Sequence, residues 1–315
     1  MPATAPTTRP RATAAATGPP VLALVGPTAA GKSALALATA ARRGDVEVVA
    51  VDAFTVYRGM DVGTATPSAE DRRRVPHHLV DVLEPEQDCT VSWFQSAARA
   101  AVDDVLARGL VPLLVGGSGL YFRAVVDDLE FPPTDPEVRA AVTARVGGDP
   151  AVAHAALAVV DPAAAATMDP ANLRRAVRAL EVLELTGRPF SDWRTAWDEH
   201  RSSRYPGLRV VGVAWERAAL VARIAERVTA MLAGGLVEEC AALRGRALSR
   251  TARQAIGYGE VLDALDGGST MAAAHERILV RTRRYATRQL RWFRSDPRVR
   301  WHRPCEVVEV LCSST

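Results

Sequence analysis

The sequence lacks the features that mark several classes of protein. Its 315 residues include only four cysteines, none of them in a CxxC pair, so neither a zinc ribbon nor a disulfide framework is indicated. No run approaches the roughly 18 uncharged apolar residues that a membrane helix needs. The N-terminal residues do not resemble a secretory signal. We therefore expect a protein of the reducing cytoplasm that does not span a membrane.

Lysine is almost absent, since the chain has 38 arginines but only one lysine, Lys32. The base composition of the genome is the simplest explanation of this bias. The overall usage, 48% hydrophobic and 24% charged residues with a formal net charge of +3, is that of a folded protein. Lys32 nevertheless lies in the most motif-like segment of the chain.

The composition divides the chain into a tail, a core in two parts and an insertion. Residues 1–18 have no apolar periodicity, which predicts a disordered tail. From Val21, β-branched runs alternate with helical stretches, which predicts an α/β fold with a P-loop NTPase-like parallel sheet covered by helices. Residues 132–206 show helical spacing and no convincing strand. We predict an all-helical insertion domain there, with residues 19–131 and 207–315 forming the core.

Helix boundaries can be proposed from glycine and proline. One apolar face runs from Leu173 to Leu183, with Asp169-Pro170 placed to start the helix and Gly187 to end it. Residues 208–215 are typical of a strand that returns to the first sheet. The amphipathic helix that follows, residues 216–233, is expected to stop at Gly234-Gly235.

A phosphate-binding loop is indicated where an apolar strand meets the first helix. The segment fits GxxxxGK[ST] and consists of Gly26, Pro27, Thr28, Ala29, Ala30, Gly31, Lys32 and Ser33. Its backbone N–H groups can surround phosphate oxygens, Lys32 can neutralise charge, and the Ser33 hydroxyl can bind Mg²⁺. The loop alone does not tell what happens to the phosphate.

Two further segments are expected at the same sheet edge. Asp52 ends the second strand, where it could act as a base, a metal ligand or a simple turn cap. The strand at 111–115 runs into a glycine-rich turn bearing Ser118, and no strand ends in the Asp-Glu pair of many NTPases. This weakens a plain NTPase interpretation. The adjacent His77 and His78 favour turn or packing roles over a zinc site.

An arginine-rich segment spans residues 281–303, with nine arginines, one acidic residue and interleaved aromatics. Such a segment suits a polyanion, because arginines replace counterions and aromatics stack on bases. It predicts C-terminal RNA-binding helices. The alternative is a solvated helix with its aromatic side chains in the core.

The order and spacing of these segments resemble the tRNA dimethylallyltransferases (isopentenyl-tRNA transferases). The resemblance rests on GPTAAGKS, DAFTVYRGMDVGTATP, PHHLVDVLEP, GGSGLYFRAVVDDL, DPEVR, NLRRAVRALEVLELTGRP, RQAIGYGE and TRRYATRQLRWFR. It implies that the loop holds the diphosphate of dimethylallyl diphosphate. It also implies that an adenine next to the tRNA anticodon, position 37, is flipped out so that N6 attacks the allylic carbon.

The resemblance also implies roles for individual residues. Asp52 becomes the general base, while Lys32, Ser33 and Mg²⁺ stabilise the departing diphosphate. The insertion is expected to clamp the anticodon stem-loop, and a monomer without protein partners is expected. The residues expected to contact tRNA are Asp52, Ala53, Phe54, Thr55, Ser118, Arg139, Asn172, Arg174, Arg175, Arg178, Arg253, Gln254, Gly257, Tyr258, Arg284, Arg288 and Arg291.

The chain departs from the family where DAFT, residues 52–55, replaces the common DSMQ. Ser and Gln side chains that could read the adenine are therefore absent. Two other functions stay open on the residues alone. One is a P-loop small-molecule kinase in which Asp52 activates a hydroxyl. The other is an RNA-binding protein whose loop only senses a nucleotide.

Overall fold

The computed structural model describes residues 18–194 and 203–313. Most of the predicted tail lies outside the described residues. Six parallel strands form one sheet in the order β3-β2-β4-β1-β5-β6. The strands are β1 (Leu22–Val25), β2 (Val46–Val51), β3 (His77–His78), β4 (Val111–Gly116), β5 (Arg209–Val213) and β6 (Val299–His302). The predicted parallel sheet and the return strand are confirmed, whereas β3 and β6 were not predicted.

Sixteen α-helices lie between the strands or after the last one within the described part of the chain. The first five are α1 (Lys32–Arg43), α2 (Asp61–Thr64), α3 (Ala69–Arg74), α4 (Val91–Ala107) and α5 (Gly119–Val126). The next five are α6 (Pro136–Arg145), α7 (Pro150–Val160), α8 (Pro162–Ala166), α9 (Leu173–Thr186) and α10 (Phe190–Arg194). The last six are α11 (Arg217–Met231), α12 (Val237–Leu243), α13 (Arg250–Arg253), α14 (Tyr258–Leu265), α15 (Met271–Arg294) and α16 (Pro304–Cys312).

Both faces of the sheet are buried, which explains why its strands are continuous apolar runs. Leu22 and Leu24 of β1 pack in a cluster with Ala36 of α1 and Leu311 of α16. The alternate residues of β1 pack in a larger cluster with α4, α5, α11 and α15. The core is therefore a three-layer sandwich of helices, sheet and helices.

The insertion forms its own hydrophobic cluster, built from α6, α7, α8 and α9. Asp135, Asp149 and Asp161 each cap a helix whose first residue is proline. Each aspartate side chain accepts hydrogen bonds from N–H groups later in the first turn. Proline has no N–H group, so it leaves no unsatisfied donor at the first position. The predicted helix start at Asp169-Pro170 is wrong. Helix α9 begins at Leu173, after the Asn172 side chain accepts from the Arg175 N–H, and ends at Gly187 as predicted.

The predicted stop at Gly234-Gly235 is also wrong in part. Helix α11 ends at Met231, but a wide turn at Leu232–Leu236 leads directly into α12. Gly235 lies there in the left-handed region, with φ 103°. The chain resumes as a helix because Leu236 and Cys240 are fully buried in the main core. The glycines therefore bend the helical path instead of ending it.

The buried carboxylate of Glu47 on β2 should contribute stability that depends on pH. Arg108 donates two 2.6 Å hydrogen bonds to it, and these outweigh burial and lower the pKa of Glu47 to about 2. Glu47→Gln is expected to lower the free energy of unfolding by about 1–2 kcal/mol at pH 7. Because the folded-state pKa is depressed, this difference should shrink as the pH falls from 4.5 towards 2.

Urea denaturation at pH 7 and pH 3 measures that difference. Asp104→Asn removes the other, exposed partner of Arg108 and should cost less than about 0.5 kcal/mol. An equal loss for Glu47→Gln at both pH values would mean that packing, and not the charge, makes the contribution.

Candidate functional site

A cavity of about 980 Å³ lies at the carboxyl edge of the sheet. The ends of β1, β2 and β4 meet there because all three strands run in the same direction. Helices α11 and α15 supply the opposite walls. The lining includes the expected residues Thr28, Ala29, Ala30, Gly31, Lys32, Ser33, Asp52, Phe54, Thr55, Gln254, Arg284 and Arg288.

The phosphate-loop sequence wraps around its own lysine. Lys32 Nζ donates to the carbonyl oxygens of Gly26 at 3.0 Å and Pro27 at 2.7 Å. Gly31, in the left-handed region with φ 85°, turns the chain into α1. No side chain caps this helix and its first turn has no acidic residue. The helix therefore presents free N–H groups and positive potential to an anion.

Two arginines of α11 complete this wall, and sequence reasoning missed both. Arg223 Nε donates to the Ala29 carbonyl at 2.8 Å, and its guanidinium stacks 4.5 Å from the centre of the Trp215 ring. Burial lowers the pKa of Arg227, although Asp52 opposes this. The two arginines lie four residues apart beside the buried stripe of Leu220, Ile224 and Val228. That spacing was the available signal.

The charge of Lys32 is sensitive to its surroundings. Burial, and then the nearby Arg227, lower the pKa of Lys32 to about 7, while Asp52 acts in the opposite direction. Because the pKa of Lys32 lies near 7, the negative charge of a bound ligand would stabilise the protonated ammonium form. The cavity thus favours an anion next to the loop.

Asp52 stands where the sequence places it, half-buried directly after β2. Its Oδ1 accepts from the Phe54 N–H at 2.8 Å, so it does also fix a turn. Burial raises the pKa of Asp52, and the Phe54 N–H and Lys32 oppose this. A carboxylate with a raised pKa is a better proton acceptor.

The neighbours of Asp52 divide between cavity and core. Phe54 and Thr55 line the cavity, and Thr55 Oγ1 is buried without a hydrogen-bond partner among the described residues. Ala53 is instead packed in the core with 8% of its surface exposed. Its expected contact with tRNA is therefore not supported by its position.

The glycine-rich turn reaches the cavity through its glycines. Gly116 and Gly117 line it, whereas Ser118 precedes α5 outside the lining and makes no capping hydrogen bond. The expected contact of Ser118 with tRNA stays a prediction.

The arginine-rich segment is not one continuous element, because α15 ends at Arg294 and β6 follows. Arg284 and Arg288 line the phosphate-loop cavity, whereas Arg291 lines a second groove between α11 and α15. The helical spacing put all three on one face, but the packing of α11 separates them. Phe293 is in the core, whereas Trp292 is 39% exposed.

Two arginines of the insertion that were expected to contact tRNA form ion pairs within the insertion. Arg139 and Arg178 both bind the carboxylate of Glu181, at 2.9 and 3.0 Å. Glu181 is fully buried, and these partners lower its pKa although burial opposes them. A buried carboxylate needs such partners, so the two arginines stabilise the insertion. Asn172 is the cap of α9, while Arg174 and Arg175 are exposed and stay candidates for tRNA.

The segment at residues 253–258 contributes less surface than expected. Gln254 lines the cavity, and the exposed Arg253 donates to the Leu248 carbonyl at 3.1 Å. Gly257 and Tyr258 are buried, and the Tyr258 hydroxyl donates to Glu239 at 2.6 Å. Gly257 and Tyr258 therefore present little surface to a ligand, and their expected tRNA contacts stay predictions.

The adjacent histidines have separate structural partners. His77 Nδ1 lies 2.7 Å from the Val75 carbonyl, and His78 Nε2 lies 2.7 Å from Glu47. No group of three or more His, Cys, Asp or Glu side chains in residues 18–194 and 203–313 could hold a metal ion. Over the same residues, no helix has the length and apolarity to cross a membrane.

Comparison with known proteins gives one consistent family. Residues 55–296 match the family model described as IPP transferase. The tRNA dimethylallyltransferase of Kineococcus radiotolerans is 53% identical over 292 residues, with 90% of each chain covered. That of Salinispora arenicola is 51% identical over 284 residues, covering 89% of this chain and 81% of the relative.

Solved structures are similar over nearly the same extent. The full-length tRNA isopentenylpyrophosphate transferase from Bacillus halodurans is 37% identical, with a TM-score of 0.66, and 93% of this chain and 94% of that chain are covered. A eukaryotic dimethylallyltransferase acting on tRNA is 22% identical, with a TM-score of 0.75, over 91% of this chain and 74% of that chain. At that identity the likeness shows the shared fold.

Proposed function

The chain belongs to the IPP transferase family, and we propose that it transfers a dimethylallyl group from dimethylallyl diphosphate to N6 of the adenosine at position 37 of tRNA. One observation carries the proposal: a single cavity holds the uncapped start of α1 with Lys32 and also the carboxylate of Asp52. A diphosphate leaving group needs the first, and an amine nucleophile needs the second.

The reaction then has one role for each wall of the cavity. The bond between N6 and the allylic carbon forms as the bond from that carbon to the diphosphate oxygen breaks. Asp52 accepts the proton that N6 loses. Lys32 and the free N–H groups of α1 stabilise the charge that the diphosphate gains, with Arg227 nearby.

The residues present fit a magnesium ion bound together with the diphosphate. Ser33 is the second residue of α1, lies at the cavity wall and is exposed. Mg²⁺ usually keeps several waters and binds few protein ligands when phosphates share it, so no cage of carboxylates is needed. Bound there, the ion would neutralise charge on the diphosphate.

Ser33→Ala is expected to raise the Mg²⁺ concentration that gives half-maximal rate by about tenfold, the lower end of the loss that removal of a group supporting a metal ion typically causes. A magnesium titration of the rate at saturating tRNA measures this. Ala38→Ser, at an exposed position of α1 outside the cavity lining, is the control that changes no proposed ligand. An unchanged magnesium dependence in Ser33→Ala would remove the hydroxyl from the metal site.

The test of the function uses the whole protein with dimethylallyl diphosphate, Mg²⁺ and unmodified tRNA. Mass spectrometry of the digested tRNA should find a prenylated adenosine, and tRNA with guanosine at position 37 should give none. A small-molecule kinase would instead consume ATP without regard to RNA. An RNA-binding protein would retain tRNA and form no covalent product. Either result would refute the proposal.

We further propose that the protein works in the cytoplasm as a monomer and that residues 132–206 clamp the anticodon stem-loop. Exposed Arg174 and Arg175 support a contact between the insertion and phosphates. Arg284 and Arg288 line the cavity and would guide the tRNA loop towards Asp52.

The salt dependence of tRNA affinity should report these arginines. If three or four phosphates are neutralised, log affinity should fall with log salt at a slope steeper than about −2. Arg284→Ala, Arg288→Ala and Arg291→Ala should each flatten the slope by nearly one unit. The loss should be similar on cognate and non-cognate tRNA, because phosphate contacts carry no sequence information.

Arg42→Ala is the matched control for this titration. Arg42 is exposed in the last turn of α1, about 15 Å along the helix from the phosphate loop. Its removal should leave the slope unchanged. If the three α15 variants also leave it unchanged, the RNA surface must be sought around Arg174 and Arg175.

A further inference from the structure

The amide of Gln289 joins α15 to the phosphate loop. Its Oε1 accepts from the Thr28 N–H at 2.8 Å, although the two residues lie 261 positions apart. Gln289 has 4% of its surface exposed and lines the cavity. The loop is therefore held in place from a helix that forms the opposite wall.

The same amide fills the space beside the glycine-rich turn. A Cβ atom on Gly117 would lie 2.1 Å from Gln289 Nε2 and 3.1 Å from the Gly26 carbonyl oxygen. Only glycine leaves room for the amide there. Gln289 thus packs between the loops that follow β1 and β4. It also interacts with the Tyr285 hydroxyl one turn earlier, which opposes the rise in the pKa of Tyr285 caused by burial.

A neutral amide suits this position chemically. It supplies an acceptor for a backbone N–H without placing a negative charge next to a site for diphosphate. The Thr28 N–H is thereby occupied, and the N–H groups at the start of α1 are left for the ligand. The hydrogen bond fixes where the loop begins its turn towards those groups.

We propose that Gln289 is a positioning residue that holds the phosphate loop, through Thr28, in the conformation that receives the diphosphate. The inference rests on the proposed function only in taking that diphosphate to belong to the prenyl donor. Gln289 acts through the loop backbone. Gly117 contributes because its lack of a side chain leaves room for the Gln289 amide.

Gln289→Met tests the proposal, because methionine keeps the length and most of the volume but offers no comparable acceptor. Calorimetric titration with inorganic diphosphate and Mg²⁺ should show binding weakened by about fivefold to tenfold, as expected for one lost hydrogen bond. KM for dimethylallyl diphosphate should rise by a similar factor. The KM for tRNA should not change, and kcat should stay within about threefold.

Gly117→Ala provides an independent variant, since its Cβ would displace the amide without altering Gln289 itself. It should weaken diphosphate binding to a similar extent. The double variant should bind diphosphate about as weakly as either single variant, because both substitutions break the same contact. Thr287→Ala is the control on the same helix. The Thr287 hydroxyl donates to the Arg283 carbonyl. Thr287 lines the groove between α11 and α15 and not the phosphate-loop cavity, so diphosphate affinity should stay unchanged.

Two results would overturn the proposal. One is parental diphosphate affinity in both single variants. The other is a loss of diphosphate and tRNA affinity in parallel with a large fall in Tm, which would make Gln289 a packing residue only. Failure of the proposed function looks different: the parent protein would then bind diphosphate and prenylate no tRNA, while the effect of Gln289 on diphosphate could still be measured.

Discussion

Asp52→Asn is expected to lower turnover by about 10²–10⁴, as loss of a general base does. Asparagine keeps an oxygen for the Phe54 N–H, so the turn after β2 should survive. It removes the charge that would take the proton from N6. Single-turnover rates at saturating donor and tRNA measure the chemical step directly, and tRNA affinity should change little.

The pH dependence gives a second measurement of the same residue. Burial raises the pKa of Asp52, and the base must be deprotonated to act. The rate of the parent should therefore fall as the pH drops through this raised pKa, and the acid limb should be absent from Asp52→Asn. Glu226→Gln changes another carboxyl group of the cavity wall, an exposed one, and should keep the limb. Near-full activity in Asp52→Asn would remove Asp52 from the mechanism.

Lys32→Met should lower kcat/KM for the prenyl donor by about 10²–10³, the effect of removing one preorganised charge from a developing anion. The carbonyl oxygens of Gly26 and Pro27 hold the ammonium at the phosphate loop, next to the site proposed for the diphosphate. Methionine keeps the length of the chain and loses the charge. Initial rates at varied donor and fixed tRNA give the change.

The control for Lys32 is tRNA affinity without donor. It should equal that of the parent, because the lysine is expected to serve the diphosphate alone. Lys32→Arg keeps the charge with a different shape and should recover only part of the rate. If Lys32→Met binds tRNA much more weakly, the loop contacts RNA phosphate and the assignment of the two substrates must be reversed.

The phosphate loop could be predicted from the sequence because strand, loop and helix follow each other without interruption. Gly26 and Gly31 adopt backbone conformations that side chains disfavour, and the apolar runs on either side set the strand and the helix. The place of Asp52 could also be predicted, since the carboxyl ends of parallel strands meet at one edge. Local chemistry and strand direction suffice for both.

The roles of the individual arginines could not be predicted in this way. Arg178 lies three residues before Glu181 on α9, a spacing that helical periodicity permits, but Arg139 reaches the same carboxylate from α6, and only the packing of α6 against α9 decides that. The spacing of residues on α15 likewise does not tell which wall each arginine reaches. These choices depend on which helices pack together, and helical periodicity describes one helix at a time.

The sequence by itself therefore determined the fold class, the phosphate loop and the shared edge with Asp52. Only the tertiary structure decided that Arg223 and Arg227 complete the cavity, that Tyr258 is buried, and that Gln289 holds the Thr28 N–H. The physical reason is distance along the chain. A contact across 261 residues forms only when the sheet, α11 and α15 pack in one relative position, and no local propensity specifies that position.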